Sequence, residues 1–277
     1  MSNLFITGAA SGIGKELVMR ALDRGDRVFA SVRSLNGLAD LGARENLHPI
    51  LMDVADTESV NGGFAQVDRI LAGAALDGVI NCAAVAPLGA VEVTSISVYE
   101  QTLNTNTLGT LRVMQNAIPR LRGHDGRLIL VTSLWGKVAG PMISAYAASK
   151  HAIEALADSA RRETKGMGLR IVVVEPGVIK TRMLSDQLDN ARKLAAEVPP
   201  EQRERYAELY RKYAALVEKG SGQGISVGEC AAQIERVLHA PAPKPRYRIG
   251  SDSKMVCLLA RVLPDRALDG MFSKLLG

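Results

Sequence analysis

Short apolar runs and helix-like segments alternate along this chain from its first residues, and that alternation limits its fold more than any other feature. Residues 4–7, 27–32, 48–52, 78–81, 127–132 and 169–175 are short and mostly rich in Val, Ile and Leu, and 246–249 reads as a seventh strand after the Pro-rich turn at Pro241, Pro243 and Pro245. Longer stretches with helical spacing lie between them at 13–24, 59–72, 97–121 and 145–164, with another at 228–239. Apolar strands separated by helices predict a parallel sheet covered on both faces, because each crossover lays a helix on the sheet. Crossovers are right-handed, so the expected architecture is a doubly wound α/β fold with seven parallel strands.

Residues 183–224 break the rhythm. A charged, helix-like segment follows Pro199-Pro200, with Tyr206, Leu209, Tyr210, Tyr213 and Leu216 at roughly helical spacing, and a Gly-rich stretch from Gly220 to Gly224 closes it. Its position after the sixth strand predicts a helical lid rather than a second domain. A length of 277 residues suits one domain with a buried sheet, so 1–277 reads as a single catalytic domain with the lid inserted. Residues 256–262 are expected as a helix on the lid or a lipid-touching surface.

Composition removes several classes of function. Apolar residues make up 47% and charged residues 23%, which is globular rather than disordered. The net charge of +5 comes without a run of like charges, and aromatics are only 4%, so no nucleic-acid partner is expected. Cys82, Cys230 and Cys257 are widely spaced, and the four histidines form no ligand motif. Reduced thiols, a cytoplasmic location and no metal are therefore expected. No apolar stretch is long enough for a membrane span.

The first strand runs into Thr7-Gly8-Ala9-Ala10-Ser11-Gly12-Ile13-Gly14, and a helix follows. Glycines at 8, 12 and 14 allow a tight turn and close approach to a pyrophosphate, which then faces free N–H groups and the positive end of the helix dipole. This predicts a Rossmann-type dinucleotide site. The second strand ends Val32-Arg33, with no acid at that point to bond ribose hydroxyls. A cation there suits a 2′-phosphate, so NADP(H) is expected over NAD. Ser11 offers a further hydroxyl to the same phosphate.

Tyr146 and Lys150 are four residues apart on a helix, so both side chains leave one face. A nearby ammonium favours a phenolate, and the phenol is expected to have a lowered pKa and to pass a proton to or from an oxygen while hydride moves at carbon. Ser133 ends the fifth strand, where an open α/β sheet collects ligand groups, and can hold the substrate oxygen.

These motifs together resemble the short-chain dehydrogenase/reductase family, of its single-domain kind. The residues from Thr7 to Gly14 are similar to its TGxxxGIG turn, and Asp53-Val54 to the pair that places the adenine. Asn81-Cys82-Ala83-Ala84 resembles the NNAG strand end, with Cys82 and Ala84 as departures; Asn81 and Ala83 still match. Asn106, in Asn106-Thr-Leu-Gly109, matches the family's helix asparagine, which implies support for a proton-relaying water. Ser133, Tyr146 and Lys150 match its catalytic serine, its acid/base and its ribose-binding lysine. Pro176-Gly177-Val-Ile179-Lys-Thr181 is similar to the PGxxxT segment, which implies that Ile179 and Thr181 hold the nicotinamide carboxamide. The segments around Tyr146 and Pro176 and the tail from Pro245 to Gly250 further resemble the branch of 17-beta-hydroxysteroid and retinol dehydrogenases. That branch implies an apolar alcohol or ketone as substrate, and the family implies a homodimer or homotetramer.

On the substrate side, Ser133 and Tyr146 are expected to be joined by Trp135, Met142 and Met183, mostly apolar as ligand pockets are. The alternative is a non-catalytic NADPH-binding sensor or scaffold of the same fold, against which the Asn106, Ser133, Tyr146 and Lys150 set speaks.

Overall fold

The structure, a computed structural model, describes residues 1–198 and 200–276, so Pro199 and Gly277 lie outside the described residues. Seven strands form one parallel sheet: β1 (Asn3–Thr7), β2 (Arg27–Val32), β3 (Leu47–Leu51), β4 (Gly78–Asn81), β5 (Gly126–Val131), β6 (Leu169–Pro176) and β7 (Arg246–Ile249). Their order is β3-β2-β1-β4-β5-β6-β7. The chain starts in the middle, winds to one edge, then crosses β1 and winds to the other. That reversal leaves a crevice between the carboxyl ends of β1 and β4, the usual place for a ligand in an open α/β sheet.

The helices between the strands make the two outer layers. They are α1 (Gly12–Asp23), α2 (Thr57–Leu71), α3 (Ile96–Thr102), α4 (Gly109–Leu121), α5 (Ser144–Glu163) and α8 (Val227–Leu238), with α6 (Arg182–Glu197) and α7 (Pro200–Gln223) between α5 and α8 in sequence. One core joins Leu4, Ile6 and Ile80 of the sheet to Leu17, Val18 and Ile234 of α1 and α8. The other joins Phe5, Phe29 and Leu128 to Phe64, Val113 and Ile153 of α2, α4 and α5. Alternate residues of the central strands enter opposite cores, which is why β1, β2, β4, β5 and β6 are largely apolar instead of alternating with polar residues.

The helix expected over 97–121 is in fact α3 and α4 joined by a π-helical stretch, Leu103–Leu108. The segment 183–224 forms a helical hairpin of α6 and α7, closed by a third cluster that includes Ala191, Tyr210, Tyr213 and Ala214. The glycines expected to end α7 at 220 lie within it, and the helix runs on to Gln223. Two last helices, α9 (Ser251–Val262) and α10 (Asp265–Leu276), complete the chain. Residues 256–262 do not pack on the hairpin as one reading had it. Val256, Cys257 and Ala260 sit against Leu134, Val138 and Trp135, the loop after β5.

Candidate active site

The turn after β1 is shaped by its glycines. Gly8 has φ +67°, and a Cβ there would lie 2.8 Å from the Ala83 nitrogen. A Cβ on Gly14 would strike the Gly8 carbonyl, so α1 can start this close to β1 only with glycine there. With the side chains absent, a groove opens along the carboxyl ends of the strands. Ser11, Gly12 and Ile13 line it with Gly8 and Gly14; Arg33, Asp53, Val54, Ala83, Pro176, Gly177, Ile179 and Thr181 continue it. Its far end is made by Ser133, Trp135, Tyr146, Lys150 and Met183. The glycines at 8 and 14 let β1, β4 and α1 close up, which leaves the N-terminus of α1 on the groove, and that helix end fits a dinucleotide pyrophosphate.

Two residues expected to hold the cofactor do another task. Thr7 is fully buried and Asn81 nearly so. The Thr7 hydroxyl donates to Asn81 Oδ1 at 2.7 Å and accepts from the backbone N–H groups of Cys82 and Ala83, each at 3.1 Å. Asn81 Nδ2 donates to Thr110 Oγ1 at 2.9 Å. Their side chains are spent on joining β1, β4 and α4, so they set the crevice without lining it. Arg33 is exposed at the end of β2 and has no carboxylate partner among the described residues. Asp53 accepts from the Ala55 N–H at 2.9 Å, which fixes the loop after β3.

Asn106 is fully buried within the π-helical stretch. It accepts from the Val85 N–H at 2.8 Å and donates to the Val85 carbonyl at 2.8 Å and to Ser149 Oγ at 2.9 Å. It therefore ties the loop after β4 to α5 and acts as a positioning residue. Met142 is likewise displaced from its expected place. With φ +67°, it turns its side chain under the hairpin, beside Leu88 and Tyr210, and it does not line the groove.

Ser133 lies two residues past the end of β5, still extended, and accepts from the Trp135 N–H at 3.2 Å. Tyr146 and Lys150 leave the same face of α5. The Lys150 ammonium lies 5.4 Å from the centre of the Tyr146 ring and donates to the Val131 carbonyl at 3.0 Å. Burial pushes the Tyr146 phenol up to about 12, and its hydrogen bond with Ser133 pulls the other way. Burial lowers Lys150 to about 8, opposed by Cys82 and Glu154. The expected lowering of the Tyr146 pKa by Lys150 is therefore not what the geometry gives. The ammonium faces the ring and spends its hydrogen bond on a carbonyl, so desolvation outweighs it. At neutral pH the phenol is a protonated acid, and the lysine is cationic but close to titrating.

Sequence reasoning missed three supports of this site. Glu154, one turn beyond Lys150, accepts from Thr132 Oγ1 at 2.7 Å and pairs with Lys137 at 2.8 Å and Arg246 at 2.9 Å, which anchors the end of β5. Tyr213 of α7 is buried close to Tyr146, whose phenol helps burial raise its own pKa. Phe272 of α10 approaches Trp135, with ring centres 6.3 Å apart. Each depends on at least one contact more than sixty positions away in sequence, Arg246 for Glu154, Tyr146 for Tyr213 and Trp135 for Phe272, with no motif to signal it.

A family model described as short chain dehydrogenase matches residues 2–192. The chain belongs to the short-chain dehydrogenase family. Within it, the sequence lies with the retinol and hydroxysteroid dehydrogenase-like branch. Human retinol dehydrogenase 5 is 31% identical over 281 residues, covering 98% of this chain and 87% of that protein. The NADPH-dependent 3-dehydrocapnine reductase of Ornithobacterium rhinotracheale is 27% identical, covering 97% of this chain and 95% of that one. Among solved structures, a short-chain dehydrogenase from Streptomyces avermitilis superposes with a TM-score of 0.79 at 24% identity, covering 99% of this chain and 96% of the other. A short chain dehydrogenase from Burkholderia cenocepacia in complex with NADP gives 0.75 at 24% identity, covering 100% and 98%. These two likenesses concern the fold. Family membership makes this chain an oxidoreductase that uses a nicotinamide cofactor and acts on CH–OH groups. Among the described residues no helix is long and apolar enough to cross a membrane.

Proposed function

We propose that this protein is an NADP(H)-dependent oxidoreductase that interconverts a secondary alcohol and a ketone, or an aldehyde, on an apolar substrate. The observation that carries the reading is convergence: Ser133, Tyr146 and Lys150 meet at one end of the groove whose other end holds the Gly8 turn and Arg33. Bound in that groove, the nicotinamide cofactor supplies or takes up the hydride. In reduction, the Tyr146 hydroxyl gives its proton to the carbonyl oxygen as the carbon gains hydride; in oxidation the proton returns. Ser133 orients that oxygen by hydrogen bonding. Lys150 places a positive charge over the ring of Tyr146, 5.4 Å from its centre, within reach of the charge that develops as the phenol loses its proton. A phenol held at about 12 is protonated at neutral pH and so carries the proton that carbonyl reduction needs.

Arg33 supports NADP(H): it stands exposed at the end of β2, free to make charge-assisted bonds to a 2′-phosphate. The NADPH dependence named for the Ornithobacterium reductase points the same way. Trp135, Met183 and Leu184 beside Ser133 support an apolar substrate, and retinol dehydrogenase among the relatives agrees with that. Exposed Leu103 and Leu108 near α4 support the homodimer or homotetramer. The three cysteines are unpaired, in keeping with a reducing, cytoplasmic setting.

NADPH oxidation against steroids, retinoids, quinones and small aldehydes tests the reading. Turnover with the larger apolar carbonyls, at about tenfold or more above the small aldehydes in kcat/KM, is expected. Tight NADPH binding without turnover on any of them would instead make the protein a cofactor-holding sensor.

A further inference from the structure

The segment from Glu175 to Lys180 is held in place by parts of the chain far away in sequence. The Glu175 carbonyl accepts from Ser253 Oγ at 2.7 Å. The Gly177 N–H donates to the Ile249 carbonyl at 2.8 Å. The Val178 N–H donates to Asp252 Oδ2 at 2.6 Å. On the other side, Val178 and Lys180 exchange backbone hydrogen bonds with Ile225, at the exit of the hairpin. The first turn of α9 thus grips both sides of Pro176-Gly177.

The Asp252 carboxylate fills space that the backbone has left for it. A Cβ on Gly177 would collide with both its oxygens, and a Cβ on Gly250 would collide with Oδ1. Gly250 has φ +99°, a conformation that turns the chain from β7 so that Asp252 faces Val178. A carboxylate accepting a backbone N–H makes a strong, directional bond. Behind it, α9 continues to Cys257, packed on Leu134 and Val138 with Trp135 alongside. Asp252 therefore connects the loop that carries Ser133 and Trp135 with the groove wall at Gly177, Val178, Ile179 and Thr181.

We infer that Asp252 is a positioning residue for the nicotinamide end of the cofactor: its hydrogen bond to Val178 fixes the 177–181 segment in the shape that receives the ring. This rests on the nicotinamide-cofactor reading above, and it assigns a role to a residue of the C-terminal tail that is not itself among the residues lining the groove. Among the described residues Asp252 bonds to Val178 and lies against Gly177 and Gly250, away from Arg33 and Asp53 in the groove wall, so loss of the carboxylate is expected to act on one half of the site.

The experiment compares binding of NADPH and of 2′,5′-ADP, which carries the adenosine end alone, by calorimetry on wild type, Asp252→Ala and Asp252→Asn. In Asp252→Ala, NADPH affinity is expected to fall about tenfold while 2′,5′-ADP affinity stays within about twofold. Asp252→Asn keeps a carbonyl oxygen to accept from Val178, and is expected to recover part of the loss. Equal losses for both ligands, or no loss for either, in folded Asp252→Ala would overturn the inference. Should that variant not fold, Asp252→Asn decides: a selective loss of NADPH affinity carries the inference, and unchanged or equally weakened binding overturns it. Failure of the proposed function shows separately, as wild-type protein that binds NADPH but turns over no carbonyl.

Discussion

The Lys150 ammonium stands 5.4 Å from the centre of the Tyr146 ring while donating its hydrogen bond to the Val131 carbonyl at 3.0 Å. One helical turn separates the two residues on α5, and burial acts on both. It holds the phenol protonated and lowers the lysine to about 8, so at neutral pH the lysine is still cationic. The pair is set to release one proton from the phenol, with a positive charge over the ring that becomes negative.

A pH profile follows from those values. Lys150 titrates near 8, below its ordinary 10.5, so its charge is lost as pH rises through about 8. kcat/KM for carbonyl reduction is expected to fall above that point, with Tyr146 near 12 outside the usual range. Lys150→Arg keeps the charge at all accessible pH and should move the alkaline limb upward. A limb that stays near 8 in that variant would assign it to another group.

Stability carries the same signature. Between about 8 and 10.5 the unfolded chain holds more protons at Lys150 than the folded one, so folding gains from rising pH. Between about 10 and 12 the folded chain holds more protons at Tyr146, so stability is lost as pH rises. Denaturant titrations of wild type and Lys150→Met across pH 7.5–10 should differ in slope, with the gain in that window absent from the variant.

Asn106→Ala should cost stability before it touches the chemistry. It removes three hydrogen bonds and leaves the Val85 N–H and carbonyl and the Ser149 hydroxyl to find new partners inside the protein. A loss of about 2 kcal/mol or more is expected in chemical denaturation. A loss below about 0.5 kcal/mol would mean the loop after β4 holds its shape without Asn106.

How far the sequence carried this account depends on where each piece of information lies. The central strands were legible because a sheet buried on both faces needs apolar runs, and residues 78–81 are β4 to the residue; 246–249 are β7 to the residue although two arginines interrupt it, since the Pro-rich turn before it marks its start. The Gly8 turn and the Tyr146–Lys150 spacing were legible because their geometry is local. Asn106 was found by its spacing, but its task was not, since Val85 and Ser149 reach it only after folding. Met142 was misplaced for a similar reason: its positive φ comes from a loop held by the Gly89 N–H on the Met142 carbonyl, which no propensity reveals. The Lys150 effect on Tyr146 was misjudged because spacing tells which face a side chain leaves and not how much water is left around it.

Arg33→Asp tests the cofactor assignment. An acid at the end of β2 repels a 2′-phosphate and can bond ribose hydroxyls instead. The ratio of kcat/KM with NADPH to that with NADH is expected to fall at least about tenfold, measured with one carbonyl substrate. An unchanged ratio would remove Arg33 from the site.

The central claim is that the Tyr146 hydroxyl carries the proton. Its most direct test is Tyr146→Phe, with NADPH affinity and single-turnover carbonyl reduction measured on the same preparation. The account predicts NADPH binding close to wild type and a reduction rate lower by about 10²–10⁴-fold. A variant that binds NADPH and reduces the carbonyl at near the wild-type rate would contradict it.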